Sequence, residues 1–373
     1  MKIFILFSIA FAYGFLGNVV SNANPHPYEA IFNFGDSISD TGNAATYHPK
    51  MPSNSPYGST YFKHPSGRKS NGRLIIDFIA EAYGMSMLPA YLNLTEAQDI
   101  KKGVNFAFAG STALDKDFLE QKRINVQEAA YSLSTQLDWF KKLKPSLCES
   151  REECNKYFKN SLFLVGEIGG NDINAIIPYK NITELRKMVP PIVGAIILYQ
   201  SFKLIEEGAI ELVVPGNFPI GCNSAVLAIV NSDKKDDYDQ FGCLVTYNTF
   251  IEYYNEQLKK AIETLRQENP DVKITYFDYY GATKRIFQAP QQYGFSSGKI
   301  ETFRACCGKG EPYNLSAQIA CGSPAATVCS NPSKYINWDG PHFTEAAYKQ
   351  IAKGLIEGPF ANPSLKSPPF KIA

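Results

Sequence analysis

Short runs of β-branched and aromatic residues alternate along the chain with longer stretches whose apolar positions recur at helical spacing. The runs 29–34, 103–108, 161–168, 210–215 and 272–277 predict strands by length and composition. The segments 71–83, 127–141, 182–207, 240–269 and 344–357 predict helices. In the second of these, Ala130, Leu133, Leu137 and Phe140 fall on one face. Leu162-Phe163-Leu164-Val165 is continuously apolar, as a strand covered on both sides must be. A parallel return needs a crossover, so this alternation predicts a mostly parallel central sheet in a three-layer α/β/α sandwich. Residues 24–373 read as one domain. Two stretches lack a period: 46–69, dense in Pro, Ser, Gly and Tyr, and 288–334, which carries half of the cysteines. Tyr47, Tyr57, Tyr61 and Phe62 in the first are either aromatic walls for a ligand or rings tucked into the core.

The N-terminus changes the expected compartment. Lys2, an apolar run from 3 to 16 and the small residues around Ser21-Asn22-Ala23 make up a secretory signal, with cleavage expected after Ala23. The apolar run 190–199 is too short to span a bilayer of about 30 Å. Eight cysteines behind such a signal predict disulfides, with local loops suggesting Cys148–Cys154, Cys222–Cys243 and two bridges among Cys306, Cys307, Cys321 and Cys329. Sequons at Asn93, Asn181 and Asn314 predict glycosylated surface loops. The extracellular space or a vacuole is the expected destination. The formal net charge of +1 leaves no excess of Lys and Arg to neutralise phosphates, which excludes nucleic acid as a partner.

Two distant segments carry the candidate chemistry. The first predicted strand runs into Gly35-Asp36-Ser37-Ile38-Ser39, which puts a serine at a strand's carboxyl end, where open α/β sheets bind ligands. A helix-capping Asp-Ser turn would use the same residue types. Near the other terminus, Asp339 precedes His342 by a Gly-Pro turn. A serine hydroxyl needs a base, an imidazole suits that role, and a carboxylate can hold the ring's other nitrogen. Thr344 then reads as the N-cap of the last helix. His26, His48 and His64 have no carboxylate at comparable spacing and read as bland. Gly294-Phe295-Ser296-Ser297-Gly298 satisfies G-x-S-x-G but lacks the strand before and helix after that a nucleophile elbow requires. No metal-binding or nucleotide-binding motif is present.

Taken together these blocks resemble the plant GDSL esterase/lipase family of SGNH hydrolases. Asn105-Phe106-Ala107-Phe108-Ala109-Gly110 and Gly169-Gly170-Asn171-Asp172 are similar to its two middle blocks, and Pro56-Tyr57-Gly58, Gly72-Arg73-Leu74 and Tyr313-Asn314 extend the likeness. Ile38 replaces the Leu of the namesake motif. The nearest branch includes acetylajmalan esterase, sinapine esterase and early-nodulin-like members. The resemblance implies an SGNH, flavodoxin-like fold, with Ser37 as nucleophile, His342 as base and Asp339 as its orienting carboxylate. It also implies an oxyanion hole from the Ser37 and Gly110 N–H groups and the Asn171 amide, and no cofactor or metal. The expected substrate is a small-molecule or glycoside ester with a short acyl group. Three rival readings stay open: an acyltransferase with the same triad, a glycoside hydrolase using carboxylates among Asp36, Asp40, Asp172 and Asp339, and a non-catalytic glycoprotein.

Overall fold

The computed structural model describes residues 27–47, 54–316 and 318–372. The predicted signal, His26 and His48 lie outside them. Among the described residues eight strands form: β1 (Ala30–Phe34), β2 (Gly103–Asn105), β3 (Ser161–Val165), β4 (Glu211–Pro215), β5 (Lys273–Phe277), β6 (Cys307–Gly308), β7 (Thr327–Val328) and β8 (Ala361–Asn362). Six of them make the central sheet, in the order β2-β1-β3-β4-β5-β8. The first five pair in parallel, and only β8 runs antiparallel against β5. β1, β3 and β4 are buried along their whole length, because helices cover both faces. This is the expected α/β/α sandwich.

The order 2-1-3-4-5 positions the site. From β1 the chain crosses to β2 on one side and then to β3 on the other, so the connections leaving β1 and β3 diverge. A crevice opens at the strands' carboxyl ends where such connections part. Ser37 follows β1 and Asn171 follows β3, at that switch point.

Element bounds depart from the sequence pattern where side chains compete for the backbone. The second strand stops at Asn105, because the carbonyls of Asn105 and Ala107 accept from the Asn43 amide. The predicted helix 71–83 begins at Ile75, with Asn71 engaged by the backbone N–H of Glu345 instead. Segment 127–141 divides at Ser132 into a tight turn and the helix Leu133–Leu143. Helices Lys116–Gln121, Arg151–Lys159, Ser224–Val230 and Tyr279–Gln288 were not predicted. The four disulfides are Cys148–Cys154, Cys222–Cys243, Cys306–Cys329 and Cys307–Cys321. The aperiodic stretch 288–334 holds the last two, which supply the cross-links that its sequence pattern does not.

One expectation needs correction. The apolar run at 190–199 belongs to a longer helical stretch, Ile182–Glu206, which is long and apolar enough to cross a membrane. Leu185, Val189 and Ile192 on it are fully buried, and it packs on the helix Val245–Glu268, as a core helix does.

Candidate active site

The serine turn is built by backbone geometry and buried polar staples. Gly35 has φ +138, and a Cβ there would lie 2.9 Å from the Glu167 carbonyl oxygen, so only glycine permits this turn beside β3. The Gln136 amide clasps the Gly35 peptide, accepting from its N–H at 2.9 Å and donating to its carbonyl at 2.8 Å. Asp40 accepts from the N–H groups of Gly42, Asn43 and Ala44 on its own loop and from Ala109 on the next. Asp172 accepts from Ala113 and Leu114, which ties the turn after β3 to the same loop. Both carboxylates are consumed by these bonds and neither lines the cavity, which removes them from the paired-carboxylate reading. Burial drives the Asp172 carboxyl up to about 7 against the pull of the two N–H donors.

The histidine arrives from the opposite end of the chain. Thr344 caps the last helix, accepting from the Ala347 N–H at 3.2 Å, and this anchors the turn just before it. Trp338 donates its N–H to the His342 carbonyl at 2.7 Å, closing the loop that bears Asp339. His342 Nε2 stands 2.8 Å from Ser37 Oγ, and its Nδ1 stands 2.8 and 2.9 Å from the two Asp339 oxygens. With the ring proton on the Asp339 side, Nε2 is free to accept from the serine hydroxyl. Asp339 also accepts from the His342 backbone N–H and, at 2.6 Å, from the Tyr57 hydroxyl. Burial alone would push the Asp339 carboxyl up, but the imidazole and these donors outweigh it and hold the carboxyl below its usual range.

Comparisons with known proteins show the family. Residues 31–355 match the GDSL-like Lipase/Acylhydrolase family. The chain belongs to that family. An Arabidopsis thaliana GDSL esterase/lipase is 43% identical over 98% of this chain and all of its own length. Another from Arabidopsis is 44% identical over 92% of this chain and 88% of its own. The sinapine esterase of Brassica napus is 42% identical over 93% of this chain and 90% of its own. A solved chain from Parabacteroides merdae, described as GDSL-like, is 12% identical over 71% of this chain and 85% of its own, with a TM-score of 0.29, too low to bear on the fold. The protein is a carboxylic ester hydrolase of the plant GDSL type.

Ser37, Gly110, Asn171 and His342 of this esterase all line one cavity of about 630 Å³. The N–H groups of Ser37 and Gly110 donate to no other described residue, so both are open to a ligand. Gly110 has φ +90, and a Cβ there would come within 2.7 Å of the Glu128 side chain. The Asn171 amide donates to the Ser111 carbonyl at 2.9 Å and to Asp36 at 3.2 Å.

The walls come from a segment the sequence reading passed over. Phe218, Pro219, Ile220, Val226 and Ile229 line the cavity together with Ile177. The signal available was the apolar Ala225-Val226-Leu227-Ala228-Ile229-Val230 beside Cys222, whose bond to Cys243 pins this wall. None of Tyr47, Tyr57, Tyr61 and Phe62 lines the cavity. Tyr57 instead supports Asp339 from behind, a role nothing in its local sequence announced. Among the sequons, Asn93 and Asn181 are exposed. Asn314 is buried and donates its Nδ2 to the Ala305 carbonyl. His64 is exposed, and the Gly294–Gly298 loop follows no strand and opens no helix.

Proposed function

We propose that this GDSL protein is an exported serine esterase that works through an acyl-enzyme on Ser37. The observation that carries this reading is the unbroken line from Ser37 Oγ through His342 to Asp339 at the wall of the cavity. Ser37 Oγ attacks the ester carbonyl while His342 Nε2 takes its proton, and Asp339 steadies the imidazolium. The oxyanion is received by the N–H groups of Ser37 and Gly110 and by the Asn171 amide, which exchanges its 3.2 Å bond to Asp36 for the oxyanion. His342 returns the proton to the departing alcohol. Water then attacks the acyl-enzyme with His342 again as base.

The preferred esters carry short acyl groups, acetyl foremost. The apolar wall around Phe218 and Val226 supports that choice. Export is supported by the leader pattern at residues 1–23 and by four disulfides, which persist in oxidising compartments.

Ser37→Ala and His342→Ala are each expected to lower kcat by about 10⁴-fold or more, with losses that do not add because the two residues act as a unit. Hydrolysis of nitrophenyl acetate together with fluorophosphonate labelling measures this. Wild-type turnover by Ser37→Ala would refute the reading. Along a nitrophenyl ester series, kcat/KM should fall as the acyl chain lengthens.

A further inference from the structure

The loop 46–69 delivers one side chain to the cavity after all. Among its described residues Lys69 alone lines the wall, and no other described lining residue is a Lys or an Arg. Its two chain neighbours fix it there. Arg68 is buried and grips Asp77 with two prongs, Nε and Nη2 each standing 2.8 Å from a carboxylate oxygen. Ser70 is fully buried and donates its hydroxyl to the Phe343 carbonyl at 3.2 Å. Lys69 is thus carried between two anchored residues, one of them bonded to the residue after His342.

The Lys69 side chain is half-buried, and its Nζ stands 5.2 Å from the centroid of the Tyr57 ring. A ring face attracts an ammonium without supplying the oxygen acceptors that its three N–H groups require. Lys69 makes no hydrogen bond or ion pair with any described residue. The neighbouring cations are all committed, Arg68 to Asp77 and Arg73 to Glu81 and Glu345. An ammonium held in place at a substrate cavity and left without an anion is a site for one.

The surroundings narrow the ligand. The Tyr57 hydroxyl bonds Asp339, and Asp339 bonds His342, so Lys69 stands on the side of the reactive line that protonates the departing alcohol. Glu128 is the other half-buried charge in the lining. A Cβ on Gly110 would meet its Cγ at 2.7 Å, which puts Glu128 beside the oxyanion glycine instead. Asp36 and Glu167 complete the acidic lining, and both are nearly fully buried. One free ammonium among these carboxyl groups balances a single negative charge and not a phosphate dianion.

We propose that Lys69 selects esters whose alcohol portion carries a carboxylate, that is, acylated hydroxy acids, by pairing its ammonium with that group. The inference rests on the reading of Ser37 and His342 as the esterase machinery, because His342 defines the leaving side.

The test compares para-acetoxybenzoate with its neutral methyl ester, each kcat/KM divided by that ester's alkaline hydrolysis rate. The wild type is expected to prefer the carboxylate, and raising salt from about 0.02 to 0.5 M should shrink the preference. Lys69→Met keeps the stem along Tyr57 and removes the charge. It should lower the ratio about tenfold, through KM for the carboxylate ester, since the pair forms equally in the ground and transition states. Lys69→Arg should hold the ratio within about threefold of wild type. Lys69→Glu should turn the preference toward the para-acetoxyphenyltrimethylammonium ion. A wild type without the preference overturns the proposal. So does an equal loss on both esters in Lys69→Met, which is what mere support of the Tyr57 ring would give. Calorimetric titration with para-hydroxybenzoate needs no turnover. Affinity should be about tenfold weaker in Ser37→Ala with Lys69→Met than in Ser37→Ala alone, and equal affinities refute the pairing. If Ser37→Ala keeps full turnover, the esterase reading itself has failed. If Ser37→Ala is inactive while Lys69→Met keeps the wild-type ratio, only the role of Lys69 has failed.

Discussion

The two halves of the reactive line are held in unlike ways. Ser37 stands one turn beyond a buried parallel strand, and Gln136, Asp40, Asn43 and Asp172 bond the surrounding loops to one another. His342 stands on no sheet strand. Its loop is fixed from behind by Trp338, which packs on Cys306 and Cys307, each of them in a disulfide. Cys306 and Cys307 also donate their N–H groups to the carbonyls of Asn337 and Trp338, immediately before Asp339. One half takes its precision from the sheet and buried hydrogen bonds, the other from covalent cross-links closing an aperiodic stretch. A fold of this kind needs cross-links where no periodic pattern supplies a packed element.

The largest effect is expected from breaking the cross-linked side. Cys306→Ser with Cys329→Ser should cost about 2–5 kcal/mol of stability. Hydrogen exchange should rise across 335–344 while 30–43 stays protected, and equal loosening of both segments would erase the contrast. On the serine side, Asp172→Asn removes a carboxyl whose value is raised to about 7 in the folded protein. Such a group binds more protons folded than unfolded, so its contribution is greatest at low pH and is lost as pH rises through about 7. Relative to wild type, the variant should therefore gain stability by on the order of 1 kcal/mol per pH unit between roughly pH 4 and pH 7. Urea unfolding across that range measures the slope. The smallest effect is expected at Tyr57, whose hydroxyl is one of several donors to Asp339. Tyr57→Phe should raise the barrier by about 1 kcal/mol, lowering kcat roughly fivefold without changing exchange at the serine turn.

Much of this architecture was legible beforehand because it is periodic or local. The strand 161–165 holds the continuous apolar run 162–165, and Thr344 lies where a cap must lie. Cys148 and Cys222 lie close enough in sequence to their partners to pair by proximity. The helix Ser224–Val230 was not legible, since seven residues are too few to establish a period. Tyr57 escaped for another reason: its partner Asp339 lies 282 positions away, and sequence spacing carries no information about such a contact.

By itself the sequence determined the layering, the strand-end placement of Ser37 and the chemical types at the two termini, because these follow from side-chain periodicity and short-range turn chemistry. Tertiary structure alone decided that Ser37 and His342 stand 2.8 Å apart, which carboxylates are spent on backbone N–H groups, and which face becomes the substrate wall. Those outcomes depend on how the crossovers stack on the sheet and on which polar groups lose their water there, and no local stretch of chain encodes either.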